Sequence, residues 1–439
     1  MNTATLVPLL TSLQAAEPAR QPAWRRQSRD AAWRWLAEHG FPTTRDEAWK
    51  YTRLAPILAV PFQAAAAPPS RRLSTARLAQ WVGDYGGPRL VFVNGLFVTR
   101  LSALAGLPAG VRLSNLAALP QAERAALEPL LTHSLQVSPH AFGALNAALG
   151  EDGAVLQIPA HCTLERPIHL VFLADPGAAP LAVHSRSLIQ LGAGSRATLV
   201  ESHVASGAGV YLSNPLSQVV LEAGAALEHY SLQDSGRSAF HLARLDVRQA
   251  RDSRFSAHLT ACGGAIARHE VRVALEGPGA QVALDGLYLP GGEQHLDNQT
   301  CIEHLAPYCT SRERYKGVIG GRAHGVFDGR IIVRPGAIKT DASQTIKNLL
   351  LTATAQANAQ PRLEIFADDV KCAHGAAVGQ LDRQAIFYLR SRGLDEPAAR
   401  SLLTYAFVGE LLEAIHLAPL RAEVQRLVVA QLRSLELTP

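Results

Sequence analysis

The 439 residues are 48% apolar and 18% charged, which is enough apolar material for a large core and excludes a disordered chain. The 42 basic residues exceed the 37 acidic ones by five, but they are dispersed, without the basic block that marks a nucleic-acid binder. Five cysteines (Cys162, Cys262, Cys301, Cys309 and Cys372) form no C-x-x-C pair, so no disulfide framework is expected and a reducing, cytoplasmic compartment fits.

The N-terminus lacks a basic stretch ahead of its apolar residues, and Pro8 breaks the short apolar run, so it does not read as a signal peptide. No run approaches the ~18 apolar residues of a membrane helix. Ala32, Trp33, Trp35, Leu36 and Ala37 mark an amphipathic helix that Gly40 and Pro42 stop. Thr44 is placed to cap a short helix with Glu47 as its capping-box partner. The Ala/Pro-rich stretch Pro61–Ser70 reads as a linker. Residues 1–85 are therefore expected to be a helical N-terminal region with a linker.

From about Pro88 the pattern turns β-rich. Asn94-Gly95 between Leu90–Val93 and Leu96–Val98 is a hairpin signal. A helical insertion is expected near 116–149. Beyond it, Leu191, Leu221, Leu275 and Val333 each open a Gly-containing turn that separates β-branched or Leu-rich runs, with weaker members near Val247 and Leu305. A repeat of this length implies stacked units, each too small to bury its own face. The expected fold is mainly β: a parallel β-helix (solenoid) core over 86–378, in preference to a β-sandwich, which would show no coil-length period.

Residues 379–439 are expected to form a C-terminal helical domain. Asp395 caps one helix with Pro397 in its first turn. Its apolar stripe is read as Leu402, Leu403, Ala406, Phe407, Leu411 and Ile415. A second helix starts near Pro419, with Leu420, Val424, Leu427, Val428, Gln431 and Leu435 along one side. Capping the solenoid end is the simpler expected role for this pair, and docking a partner the other.

Cys372 and His374 are the main chemical candidates. If Asp368 to His374 is a strand, then Asp368, Val370, Cys372 and His374 share a face. A thiolate and an imidazole two residues apart both reach one iron atom, yet a cluster takes about four protein ligands. Such a site would be half-built, to be completed by a partner, as suits a scaffold that releases its product. His374 is the better neighbour for lowering the thiol pKa, because Lys371 points to the opposite face. By residue type alone, a buried cysteine and a satisfied histidine are commoner. On a further strand Arg322, His324, Asp328 and Arg330 would share a face, read first as a polar ladder and second as a proton or iron relay. Glu303 and His304, near Cys301 and Cys309, are a weaker cluster.

The segment Tyr315–Leu394 carries the blocks GRAHGVFDGRI, KTDASQ, KNLLL, PRLEI, ADDVKC, HGA, VGQLD and FYLRSRGL. It resembles the SufB/SufD family, with TTRDEAWKYTRL similar to the family's N-terminal marker. Within that family the DDVKC-x-HG block resembles the SufD branch. The resemblance implies a right-handed parallel β-helix between helical regions, in a non-enzymatic scaffold of the SUF iron–sulfur cluster assembly complex. It further implies a β-helix interface with SufB, docking of the ATPase SufC on the C-terminal helical domain, and self-pairing when isolated. Cys372 and His374 would be ligands of a transient, shared iron–sulfur cluster, with His324, Asp368 and Lys371 as supporting polar residues. Rival functions fit less well. A carbohydrate-active solenoid needs clustered carboxylates in an aromatic-lined groove, whereas the chain is 6% aromatic. A self-contained ATP-driven factor needs a G-x-x-x-x-G-K-[ST] loop, absent from the sequence. A purely structural partner without metal contact is the remaining alternative.

Overall fold

The computed structural model of the chain describes residues 23–64, 73–137 and 140–436. The expected leaderless N-terminus up to residue 22 and most of the Pro61–Ser70 linker lie outside them. Each coil of the chain gives one strand to each of two sheets, and the whole is a β-solenoid of about eight turns. Sheet 1 ends in strands Ala239–Gln249, Ile266–Leu275, His295–His304, His324–Val333 and Gln356–Ile365. Sheet 2 ends in Ala226–Asp234, Arg254–Ala261, Gln281–Tyr288, Thr310–Ile319, Asp341–Leu350 and Lys371–Gly379. The expected Asn94-Gly95 hairpin is present, with both residues at positive φ and Val93 paired to Leu96.

The period comes from in-register stacking. Leu191, Leu221, Gln249, Leu275, His304, Val333 and Ile365 form one column of Cα partners through sheet 1. Gln249 and His304 replaced the expected Val247 and Leu305, because a polar residue in the column hides a coil from an apolar pattern. Both are buried, and each has a hydrogen-bonded side-chain nitrogen. Gln249 donates to the Gln281 carbonyl (2.9 Å), and His304 lies 2.9 Å from the Ser311 hydroxyl.

A second ladder fixes the corners. Gly194, Gly224, Asp252, Gly279, Tyr308, Lys339 and Asp369 all have positive φ. The amide of each of the first six donates to a carbonyl of the next coil's corner, as from Gly224 to Arg251 and from Lys339 to Asp369. Glycine takes this left-handed turn without strain, which is why only some corners carried a glycine signal.

Alternate side chains point into the tube. Leu199, Leu227, Phe255, Val282, Leu284, Phe327, Ile331 and Ile346 build its apolar core. The outer faces are covered by helices. On sheet 1 lie α1 (Ala23–His39), α2 (Gln121–Val137) and α3 (Ala141–Leu149), burying Leu36, Phe142 and Leu145 against Phe240, Leu242 and Ile266. C-terminal to the solenoid follow α4 (Arg383–Ser391), α5 (Glu396–Glu413) and α6 (Ala418–Glu436). The last two bury Val408, Leu411, Leu412, Val424, Val428 and Leu432 against Val200, Leu232, Leu287, Val318 and Leu349 of sheet 2.

Three local expectations change. The C-terminal helices lie along the side of the tube and do not cap its end. The buried stripe of α5 is Ala399, Thr404, Val408, Leu411 and Leu412, leaving Leu402 at 49% exposure. Asp395 caps α5 as expected, accepting from the Ala398 amide at 2.8 Å. Near the N-terminus the short helix is a 3-10 turn, Glu47–Trp49, and Thr44 does not cap it. Asp46 instead accepts from the Thr43 amide at 2.6 Å, closing the preceding turn.

Candidate functional site

Strand Lys371–Gly379 is the last of sheet 2 and is hydrogen-bonded along one edge to Asp341–Leu350. Its register sets Cys372 over Ala342, His374 over Gln344, Ala376 over Ile346 and Val378 over Asn348. Those four partners are buried in the tube. Cys372 and His374 thus share a face, as expected; it is the inward one, on a rung that no further coil of the described residues covers. Cys372 is half-buried against the core, and His374 is exposed. Around them Ile365, Phe366 and Val378 are 43%, 56% and 49% exposed, an apolar rim unusual for a free surface.

Burial pushes the Cys372 thiol up, hydrogen bonding with the Ala342 backbone works against this, and Asp341 adds to it. His374 is not among the influences on the thiol, so the expected lowering of its pKa is replaced by a rise.

The supporting residues scatter. Asp369 occupies the left-handed corner, so the strand starts at Lys371 and Asp368 stands exposed outside the shared face. Lys371 points away from the tube, as expected, and helps Arg312 to hold the Asp341 carboxyl low. His324 belongs to the outer face of sheet 1, where its Nε2 lies 2.6 Å from Asn358 Oδ1 and its ring meets that of His295 edge-on at 4.9 Å. It is not brought to Cys372. Asp328 and Arg330 share its face. Arg322 instead lies in the turn ahead of the strand and pairs with Glu293. Glu303 pairs with Arg334 on the outside, whereas His304 faces inward, so these two form no joint site. Among the described residues no group of three or more His, Cys, Asp or Glu could hold a metal ion.

Two residues beneath the rung escaped the sequence reading. Gln344 lies under His374, and Glu313 lies under Gln344. The Gln344 amide donates to the Glu313 carboxylate. Burial raises Glu313 to about 7, against hydrogen bonds from Thr300 and Gln344 that lower it. Stepping back from His374 by one coil length, twice, would have found both. The result is an open rung that offers one sulfur and one nitrogen donor above a buried polar column.

Comparison with known proteins shows the family. Residues 172–407 match the family model described as "SUF system FeS cluster assembly, SufBD core domain", and residues 9–170 match that of the SufBD protein N-terminal region. The iron–sulfur cluster assembly protein SufD of Escherichia coli is 32% identical over 395 residues, covering 89% of each chain. A SufBD-family iron–sulfur cluster assembly protein of Synechocystis is 32% identical over 396 residues, covering 88% of this chain and 86% of the relative. The chloroplastic protein ABCI7 of Arabidopsis thaliana is 29% identical over 410 residues. The chain belongs to the SufB/SufD family of SUF-system iron–sulfur cluster assembly proteins.

Proposed function

We propose that the chain is a scaffold arm on whose open rung part of a nascent iron–sulfur cluster is held, the rest of the ligand set coming from a SufB-type partner stacked on the same end. The cluster is cargo, released once built. The reading rests on the exposed last rung of sheet 2, where Cys372 and His374 face inward and no coil of the described residues lies above them. Both ladders end there with unpaired backbone groups and an apolar rim, which a second solenoid can satisfy by continuing the sheets. Two isolated copies can pair through the same end.

The C-terminal helices are the proposed seat of a SufC-type ATPase. Helix α4 buries none of its residues, and Phe387 and Tyr388 are 75% and 56% exposed. Exposed aromatics of this kind are typical anchors of protein interfaces. Energy from ATP would enter through that partner.

The deciding experiment is cluster formation in the complete complex with C372S and H374A made singly. Loss of cluster yield in either variant, with complex assembly intact, supports ligation. Unchanged yield in both leaves a structural role without metal contact.

A further inference from the structure

The outer face of sheet 1 carries a second unusual column. Asp246, Arg272, Cys301, Arg330 and Arg362 are successive Cα partners on five rungs. Three guanidinium groups thus stack along one line, about 5 Å per rung, with Cys301 between two of them. Like charges on facing positions are destabilising unless something neutralises them. Arg362 is met by Asp328 at 2.6 Å and Glu47 at 3.1 Å, and Arg330 by Glu364 at only 3.4 Å. Among the described residues no carboxylate lies within ion-pair distance of Arg272.

These side chains floor a cleft of about 250 Å3 between the sheet, the Glu47–Trp49 turn and the start of α3. Arg244 and Arg268 also line it, so five guanidinium groups face three carboxylates (Glu47, Glu270 and Asp328). Arg268 is committed to Glu270 and the buried Asp297, and Arg244 to Asp246. Within the column, Arg362 is already paired, Arg330 meets one carboxylate at 3.4 Å, and Arg272 is the guanidinium with the most capacity left to bind.

His140 supplies an independent observation. Its Nδ1 accepts from the Gly143 amide at 3.2 Å, which places the proton on Nε2. That Nε2 is buried, has no hydrogen-bond partner, and belongs to a residue lining the cleft. A buried donor of this kind calls for an acceptor. Burial depresses the His140 imidazole to about 3, and Arg244, Arg268 and Arg272 each push the same way, against Glu270. The local field is positive, and the ring stays a neutral donor.

We propose that this cleft binds a small oxyanion, a phosphate or carboxylate group, on the Arg272–Arg330–Arg362 column over Cys301, with the His140 Nε2–H as a further donor. Planar guanidinium forks match such groups bidentately, and their stacked spacing suits a ligand with more than one anionic centre, such as a polyphosphate or a polycarboxylate. The site is on the outer face of sheet 1, whereas Cys372 and His374 face inward on sheet 2, so it stands independently of the cluster reading.

The test is calorimetric titration of the full chain with pyrophosphate, inorganic phosphate and succinate at low ionic strength. Saturable one-site binding is expected for at least one of them, weakened tenfold or more by the R272Q/R330Q double variant. R334Q, whose residue pairs with Glu303 outside the cleft, should leave it unchanged. Tighter binding of pyrophosphate than succinate assigns a phosphoryl ligand, and the reverse order a carboxylate. Circular dichroism and melting of each variant confirm folding, and H140F, which removes the orphan donor without touching a charge, gives a second reading through weaker binding. Absence of saturable binding by all three probes, or full binding by the double variant, overturns the proposal.

Discussion

Gln344 lies directly beneath His374 on the last rung step, and its amide is held in turn by the Glu313 carboxylate. The exposed imidazole therefore stands over a column whose deepest member titrates near neutrality.

Glu313 makes stability depend on pH in a specific direction. Its carboxyl is raised by burial from 4.5 to about 7, so the folded chain holds a proton that the unfolded chain has released. The contribution is fully present below about pH 4.5 and is lost as pH rises to about 7. Over that window the wild type should lose on the order of 3 kcal/mol that E313Q retains. Denaturant melts at pH 5, 6, 7 and 8 check this, and parallel pH curves for the two proteins refute it.

The N-terminal segment is tied to the tube by a buried ion pair. Arg268 and Asp297 are 2% and 1% exposed. Arg268 also donates to the Ala48 carbonyl at 2.9 Å and stacks on Trp49, and the Thr52 hydroxyl donates to Asp297 at 2.5 Å. R268L strands a buried carboxylate and should cost about 3–5 kcal/mol, most of it recovered in R268L/D297L. Chemical denaturation of the single and double variants measures the difference.

Corner glycines separate backbone strain from collision. At Gly336, with φ of 85° and nothing within 4 Å of an added Cβ, alanine should cost about 1 kcal/mol. At Gly263 an added Cβ meets the Ser235 backbone N and O at 2.2 Å, so G263A must move a neighbouring coil and should cost more, roughly 1–3 kcal/mol. Equal thermal shifts in the two variants would contradict this.

His374 and Phe387 are exposed, so H374A and F387D should each change stability by no more than about 0.5 kcal/mol. Their effects should appear only in company: H374A in cluster yield, and F387D in recovery of the ATPase subunit by co-purification. An F387D complex recovered at full yield would remove α4 from the docking surface.

The solenoid was legible because Leu191, Leu221, Leu275 and Val333 repeat at coil length beside glycine corners. It was blurred where Gln249 and His304 fill the apolar column and where Asp252 and Tyr308 turn the corner in place of glycine. That Cys372 and His374 share a face followed from simple alternation; that the face is the inward one came from the register with Ala342 and Gln344. Asp368 was misplaced because Asp369 takes the left-handed corner, a backbone choice that Asp tolerates but does not announce. Helical periodicity showed that α5 and α6 carry apolar faces, but it could not say which surface they meet. The arginine column was invisible for a different reason: its members lie 29, 29 and 32 residues apart, and only the register of sheet 1 reveals them as neighbours.

The apolar seam beneath α5 and α6 draws side chains from Val200 through Leu349, across successive strands of sheet 2. Stacked rungs alone would part at their weakest interface when pulled. A pair of helices glued lengthwise over many of them works as a splint.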